Sequence, residues 1–134
     1  MSQAEIIEKY LGVTYKHHGR ELSGLDCYGL ILMIFKDQGV RLWDIHENYD
    51  PEWSWQGKDI FIENHAREWE EVKEPRFMDL ACFRNAQGVV NHAGIILTEN
   101  KFIHAVKAGV VVSRLTDRQW QKRLVGFYRY KGTT

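Results

Sequence analysis

The stretch "NHAGIILTENKFIHAVKAGVVVSRL", residues 91–115, holds three short runs rich in β-branched and aromatic residues, separated by "TEN" and "KAG". Runs of this length and make-up between turn residues read as strands joined by tight connections, so the stretch predicts an antiparallel ladder. Two of its strands carry a histidine, His92 at the head of "HAGIIL" and His104 inside "FIHAV". Their relation depends on the loop. A two-residue loop at Glu99–Asn100 would pair Leu97 with Phe102 and put the histidines on opposite faces. A three-residue loop, residues 98–100, would pair Leu97 with Lys101, set Gly94 opposite His104 and bring both histidines to one face. Asn100 suits the left-handed position of the longer loop.

Similar runs flank the stretch, "DLACFR" before it and "LVGFYRY" after it, with "NAQG" and "TDRQWQK" as turns. The second half therefore reads as an antiparallel meander of about five strands. The first half reads differently. Residues 2–11 form a short amphipathic helix with Ile6, Ile7, Tyr10 and Leu11 on one side. A loop, "GVTYKHHGRELSG", follows. A second helix runs from about Cys27 to Gln38, with Asp26 as N-cap and Gly39 at C′. Residues 40–62 have poor periodicity and hold Trp43, Trp53 and Trp55, as in a long connection; these rings suit either a groove or the core. "NHAREWEEV", residues 64–72, suggests a helical turn or two. Helices first and strands second point to one α+β domain spanning residues 1–134.

In the second helix Cys27, Leu30, Ile31, Ile34 and Phe35 share a face, so that face packs on the sheet. Cys27 falls in the first turn, where free backbone N–H groups and the helix dipole favour a thiolate and an adjacent oxyanion. A cysteine on a helix face is more often a small core hydrophobe, and Cys82 in "LACFR" fits that description. A helix-start cysteine with two strand histidines is a different pattern: a nucleophile, a base and a group that orients the base. No HxxxH, HExxH or CxxC spacing suggests a metal site. His17, His18, His46 and His65 lie in polar or loop segments and default to the surface.

Eighteen basic residues balance eighteen acidic ones, which gives no electrostatic case for nucleic acid or an anionic membrane. No apolar run is long enough to span a bilayer. The start, "MSQAEIIEKYLG", lacks the features of a secretory signal. These points lead to the expectation of a protein made in the cytoplasm with reduced thiols.

"DCYGL", "NHAGIIL" and "FIHA", in that order, resemble the NlpC family of papain-like cysteine peptidases. "GVTY", "MDLACFR" and "LVGFYRY" resemble further segments of that family, and the first of these maps its tyrosine to Tyr15. The resemblance implies an NlpC-type fold and a cysteine endopeptidase of cell-wall stem peptides, cleaving at a D-glutamyl to diamino acid bond without a cofactor. Cys27 is then the nucleophile, His92 the base and later acid, and His104 the orienting group. Asp26, Tyr28 and Tyr15 lie beside the substrate or oxyanion, with the Cys27 N–H and the Tyr15 hydroxyl as donors. Tyr28 departs from the usual serine, and "KHHGRE" from the usual W-G-G. A large aromatic after the cysteine resembles the phage and prophage tail-tip subgroup, which implies other tail-tip proteins as partners and the virion tail as a location. Two alternatives stay open: a tail-tip assembly protein with little activity, and a thioester-forming acyltransferase or amidase.

Overall fold

The computed structural model describes residues 1–42 and 69–132. The connection through Trp43, Trp53 and Trp55, with His46, His65 and the first part of residues 64–72, lies outside the described residues.

Helix α1, Gln3–Tyr10, starts at a reciprocal cap. Ser2 Oγ accepts from the Glu5 N–H at 3.2 Å, and the Glu5 carboxylate accepts from the Ser2 N–H at 3.1 Å. The helix buries Ile6 and Tyr10. The loop after it contains a small hairpin, β1 (Arg20–Glu21) and β2 (Gly24–Leu25). Helix α2, Cys27–Asp37, begins at Asp26, whose carboxylate accepts from the Gly29 N–H at 2.7 Å. It ends where Gly39 takes a φ of +83°, which glycine adopts without strain. Leu30, Ile31, Ile34 and Phe35 are all buried against the sheet, each burial stabilising by about 1.5–3 kcal/mol.

The remaining strands are β3 (Trp69–Val72), β4 (Leu80–Arg84), β5 (Val90–Ile96), β6 (Lys101–Val106), β7 (Gly109–Arg114) and β8 (Leu124–Tyr130). They form one sheet in the order β3-β8-β4-β5-β6-β7, with every pairing antiparallel. This is an α+β domain with six strands in the main sheet rather than about five. The additional strand is "WEEV", which the sequence suggested as helix. It buries Trp69 and leaves Glu70 and Glu71 exposed. Trp69 sets its ring edge-on to Phe35 and Tyr130, each at 5.5 Å, and this cross-strand packing outweighs the helical preference of two glutamates. The order also departs from a plain meander, because β8 returns to lie between β3 and β4. The connection that carries it there, "TDRQWQK", holds a short helix, α3 (Arg118–Gln121), where a turn was expected.

Strands β5 and β6 have the odd register. Ile95 pairs with Ile103 and Ile96 with Phe102, and the Leu97 N–H donates to the Lys101 carbonyl at 2.8 Å. Gly94 therefore lies opposite His104. A Cβ built on Gly94 would sit 2.9 Å from His104 Cβ and 2.8 Å from the Ile103 carbonyl oxygen, so only glycine lets the two strands close here. Asn100 does not take the left-handed conformation; outside glycine, positive φ among the described residues belongs to His18 and Met78. The Asn100 amide instead holds the loop to Thr116, donating to its hydroxyl at 3.1 Å and accepting from its N–H at 3.2 Å.

The sheet has two apolar layers. Ala93, Ile95, Ile103 and Ala105 meet α2 in the main core. Ala81, Phe83, Ile96, Phe102 and Trp120 form a smaller cluster, to which alternation along β5 and β6 directs His92 and His104.

Candidate active site

Asp26 fixes the loop and helix that carry Cys27. One carboxylate oxygen accepts from the Gly29 N–H and from the Arg20 guanidinium at 2.9 Å, and the other accepts from the His18 N–H at 3.0 Å. Cys27 is half-buried at the head of α2, and its thiol donates toward the Asn91 carbonyl at 3.9 Å. Asn91 is the extra residue of a β-bulge, since Phe83 pairs with His92 and Arg84 with Val90. Such a bulge bends the strand and re-aims the side chains beside it.

From the bulge a hydrogen-bonded chain runs across the sheet. His92 Nε2 lies 2.8 Å from His104 Nδ1, and His104 Nε2 lies 2.8 Å from the Ser113 hydroxyl. Nδ1 of His92 is the one ring nitrogen of the pair outside this chain. For Nδ1 to accept a proton, Nε2 of His92 must already carry one and donate to His104 Nδ1. His104 then carries its own proton on Nε2 and donates to Ser113. Trp120 stacks on the His92 ring at 5.3 Å and 24°, and meets the His104 ring edge-on at 4.6 Å. Phe102 closes against His104 at 4.4 Å.

Electrostatics correct one expectation. The helix start does not win for Cys27. Burial, then the Asp26 charge, push its thiol up to about 12, against the backbone N–H groups of Ala93 and Tyr28 and the charge of Arg20. Burial, then His104 and Arg123, push His92 down to about 3. Burial, then Arg123, push His104 down to about 4. The resting pair is thus a neutral thiol and a neutral imidazole.

Cys27 and His92 line one cavity of about 350 Å³, together with Tyr15, Asn91, Trp120 and Arg123. Burial, then the charges of Cys27 and Asp26, push the Tyr15 hydroxyl up, so it stays a donor at neutral pH. Of the other residues singled out in the sequence, Asp26 is buried behind the helix start. The Tyr28 side chain lies in the main core, 5% exposed, and its backbone N–H is the part that faces the sulfur. Cys82 is buried in the same core. Ser113, Trp120 and Asn91 did not stand out in the sequence. Ser113 could have been found by carrying the strand register one hairpin further, since it pairs with Phe102 and lies diagonal to His104.

A helix-start thiol and a strand imidazole facing one cleft, on an antiparallel sheet with a helix across it, define a papain-like α+β domain. Residues 12–129 match the NlpC/P60 family, and the chain belongs to that family. It is 29% identical over 126 residues to Murein DD-endopeptidase MepS/Murein LD-carboxypeptidase of Escherichia coli (strain K12), covering 90% of this chain and 59% of that protein. It is 28% identical over 116 residues to Tail tip assembly protein K of Escherichia phage N15, covering 82% and 46%. The crystal structure of an NLP/P60 family protein, similar to lipoprotein, from Staphylococcus aureus subsp. aureus Mu50 matches with a TM-score of 0.69 at 25% identity, over 94% of this chain and 39% of that one. The chain spans less than two thirds of the length of these relatives.

Proposed function

We propose that residues 1–134 act as one cysteine endopeptidase domain on peptidoglycan stem peptides, with Cys27 as nucleophile, His92 as base and acid, and His104 as the group that orients His92. The observation that carries the proposal is the hydrogen-bonded chain from His92 through His104 to Ser113, in which the one imidazole nitrogen without a hydrogen bond among the described residues belongs to His92, whose ring lines the same cleft as Cys27. The murein endopeptidase name of one relative supports the substrate class.

Attack forms a bond from Cys27 sulfur to the scissile carbonyl carbon as the thiol proton passes to His92 Nδ1. The Cys27 N–H and the Tyr15 hydroxyl stabilise the resulting oxyanion. Collapse breaks the C–N bond, and His92 returns its proton to the leaving amine. Water, deprotonated by His92, then attacks the thioester; the C–S bond breaks and the thiol regains its proton. The bond proposed for cleavage is that between D-glutamate and the diamino acid.

The tail-tip name of the phage N15 relative favours a second reading, a tail-tip assembly protein with little activity that acts beside other tail-tip proteins. Digestion of purified muropeptides with the wild type and Cys27→Ala, read by mass spectrometry, tests the first reading. Cleavage products from the wild type alone support it. Intact muropeptides with both proteins would overturn it in favour of the second.

A further inference from the structure

We propose that Arg123, assisted by Lys107, forms a carboxylate subsite beside Cys27, so that the preferred substrates carry a free carboxylate next to the scissile bond. The proposal rests on the peptidase reading of the same cleft. The cleft that holds Cys27 and His92 is lined by two cations, Lys107 and Arg123, and by no carboxylate among the described residues.

Arg123 is held in place for such a task. Its Nε donates to the Arg84 carbonyl at 2.8 Å, and its guanidinium lies 5.1 Å from the Trp120 ring, over the same indole that stacks on His92. With Nε anchored, the two terminal nitrogens are left as a fork for a planar anion. Among the described residues no Asp or Glu pairs with it. Lys107, exposed at the β6–β7 turn, adds a flexible second charge at the rim.

The uncompensated charge has a chemical consequence. Arg123 disfavours protonation of both His92 and His104. His92 must become an imidazolium as the thioester forms, so a bare cation beside it works against the reaction. A substrate carboxylate seated on Arg123 cancels that charge at the moment the base needs it. The carboxylate then contributes to kcat as well as to binding. Peptides in which it is amidated leave the cation bare.

The test uses two stem peptides that differ only in that carboxylate, free or amidated. The wild type is expected to favour the free acid by about tenfold to a hundredfold in kcat/KM, the range of a charge-assisted hydrogen bond, with part of the difference in kcat. In Arg123→Gln the ratio should fall to within about twofold of unity. Arg123→Lys should keep an intermediate ratio, and Lys107→Gln should reduce it less than Arg123→Gln. A purely structural role for Arg123 would lower the rates on both peptides and leave their ratio unchanged, which would overturn the proposal. Calorimetric titration of both peptides into Cys27→Ala separates this subsite from the peptidase reading. Selective binding of the free acid without any hydrolysis by the wild type would sink the peptidase reading and keep the subsite. Hydrolysis of both peptides at equal rates, with equal binding, would keep the peptidase reading and sink the subsite.

Discussion

At the scale of single residues, the balance at Cys27 lies between a helix start that favours charge and a burial that forbids it, and burial prevails. Alkylation of Cys27 in the absence of substrate is therefore expected to be slow at neutral pH and to keep rising above pH 9. Asp26→Asn keeps an acceptor for the Gly29 N–H but removes a charge that raises the thiol pKa, so it should move the alkylation profile to lower pH. A wild-type rate already level below pH 7 would show a standing thiolate and contradict this assignment. The hydrogen-bonded chain gives a second expectation. His104→Ala should lower kcat by less than His92→Ala, for which a loss of about 10²–10⁴ is expected of a general base. His104→Asn should recover part of that loss, because its amide oxygen still accepts from His92. Equal rates for the two His104 variants would show that orientation by hydrogen bonding is not what His104 supplies. The sequence showed Cys27, His92 and His104 because reactive residues stood out against apolar runs. It hid Ser113 and Trp120, a common serine on a strand and an aromatic in a polar turn, whose roles exist only through contacts with residues distant along the chain.

At the scale of elements, the register of β5 and β6 decides whether the histidines meet, and Gly94 is where that register is most exposed to test. Gly94→Ala would press a methyl group between Phe102, His104 and the Ile103 backbone. It is expected to destabilise the fold by about 1–3 kcal/mol, seen as a lower denaturation midpoint in urea, and to lower activity in the surviving folded protein. A midpoint unchanged from the wild type would mean that the strands do not approach as closely as described. Helices α1 and α2 and five of the six main strands were legible within a residue or two, because capping residues and turn residues mark their ends locally, whereas the short α3 was read as a turn. The three-residue loop was one of two options, and the odd one was required for the histidines to share a face. β3 was not legible, since "WEEV" becomes a strand through Phe35 and Tyr130, which are remote in sequence.

At the scale of the whole molecule, the buried imidazoles tie stability to pH. His104 is fully buried, and its folded pKa of about 4 lies below the roughly 6.5 of an unfolded chain. The unfolded state therefore binds the extra proton first. The stabilising contribution is complete above about pH 6.5 and is lost as pH falls toward 4, and His92 acts in the same direction. Between pH 7 and pH 5 the loss from His104 alone should be on the order of 2 kcal/mol, or several degrees in Tm, and His104→Asn should flatten that slope. A wild-type Tm constant over this interval would contradict the burial of neutral imidazoles. The α+β class followed from the order of helical and strand patterns along the chain. The place of β8 between β3 and β4 did not, because no local pattern records which strand a returning segment joins.

The central claim is that Cys27 and His92 act as one catalytic unit, and the most direct measurement is the rate of stem-peptide cleavage by Cys27→Ala, His92→Ala and the double variant under identical conditions. Each single variant is expected to lose nearly all activity, and the double variant to be no slower than either, because removing one member already disables the other. Losses that multiply in the double variant, or cleavage that survives in Cys27→Ala, would contradict the account.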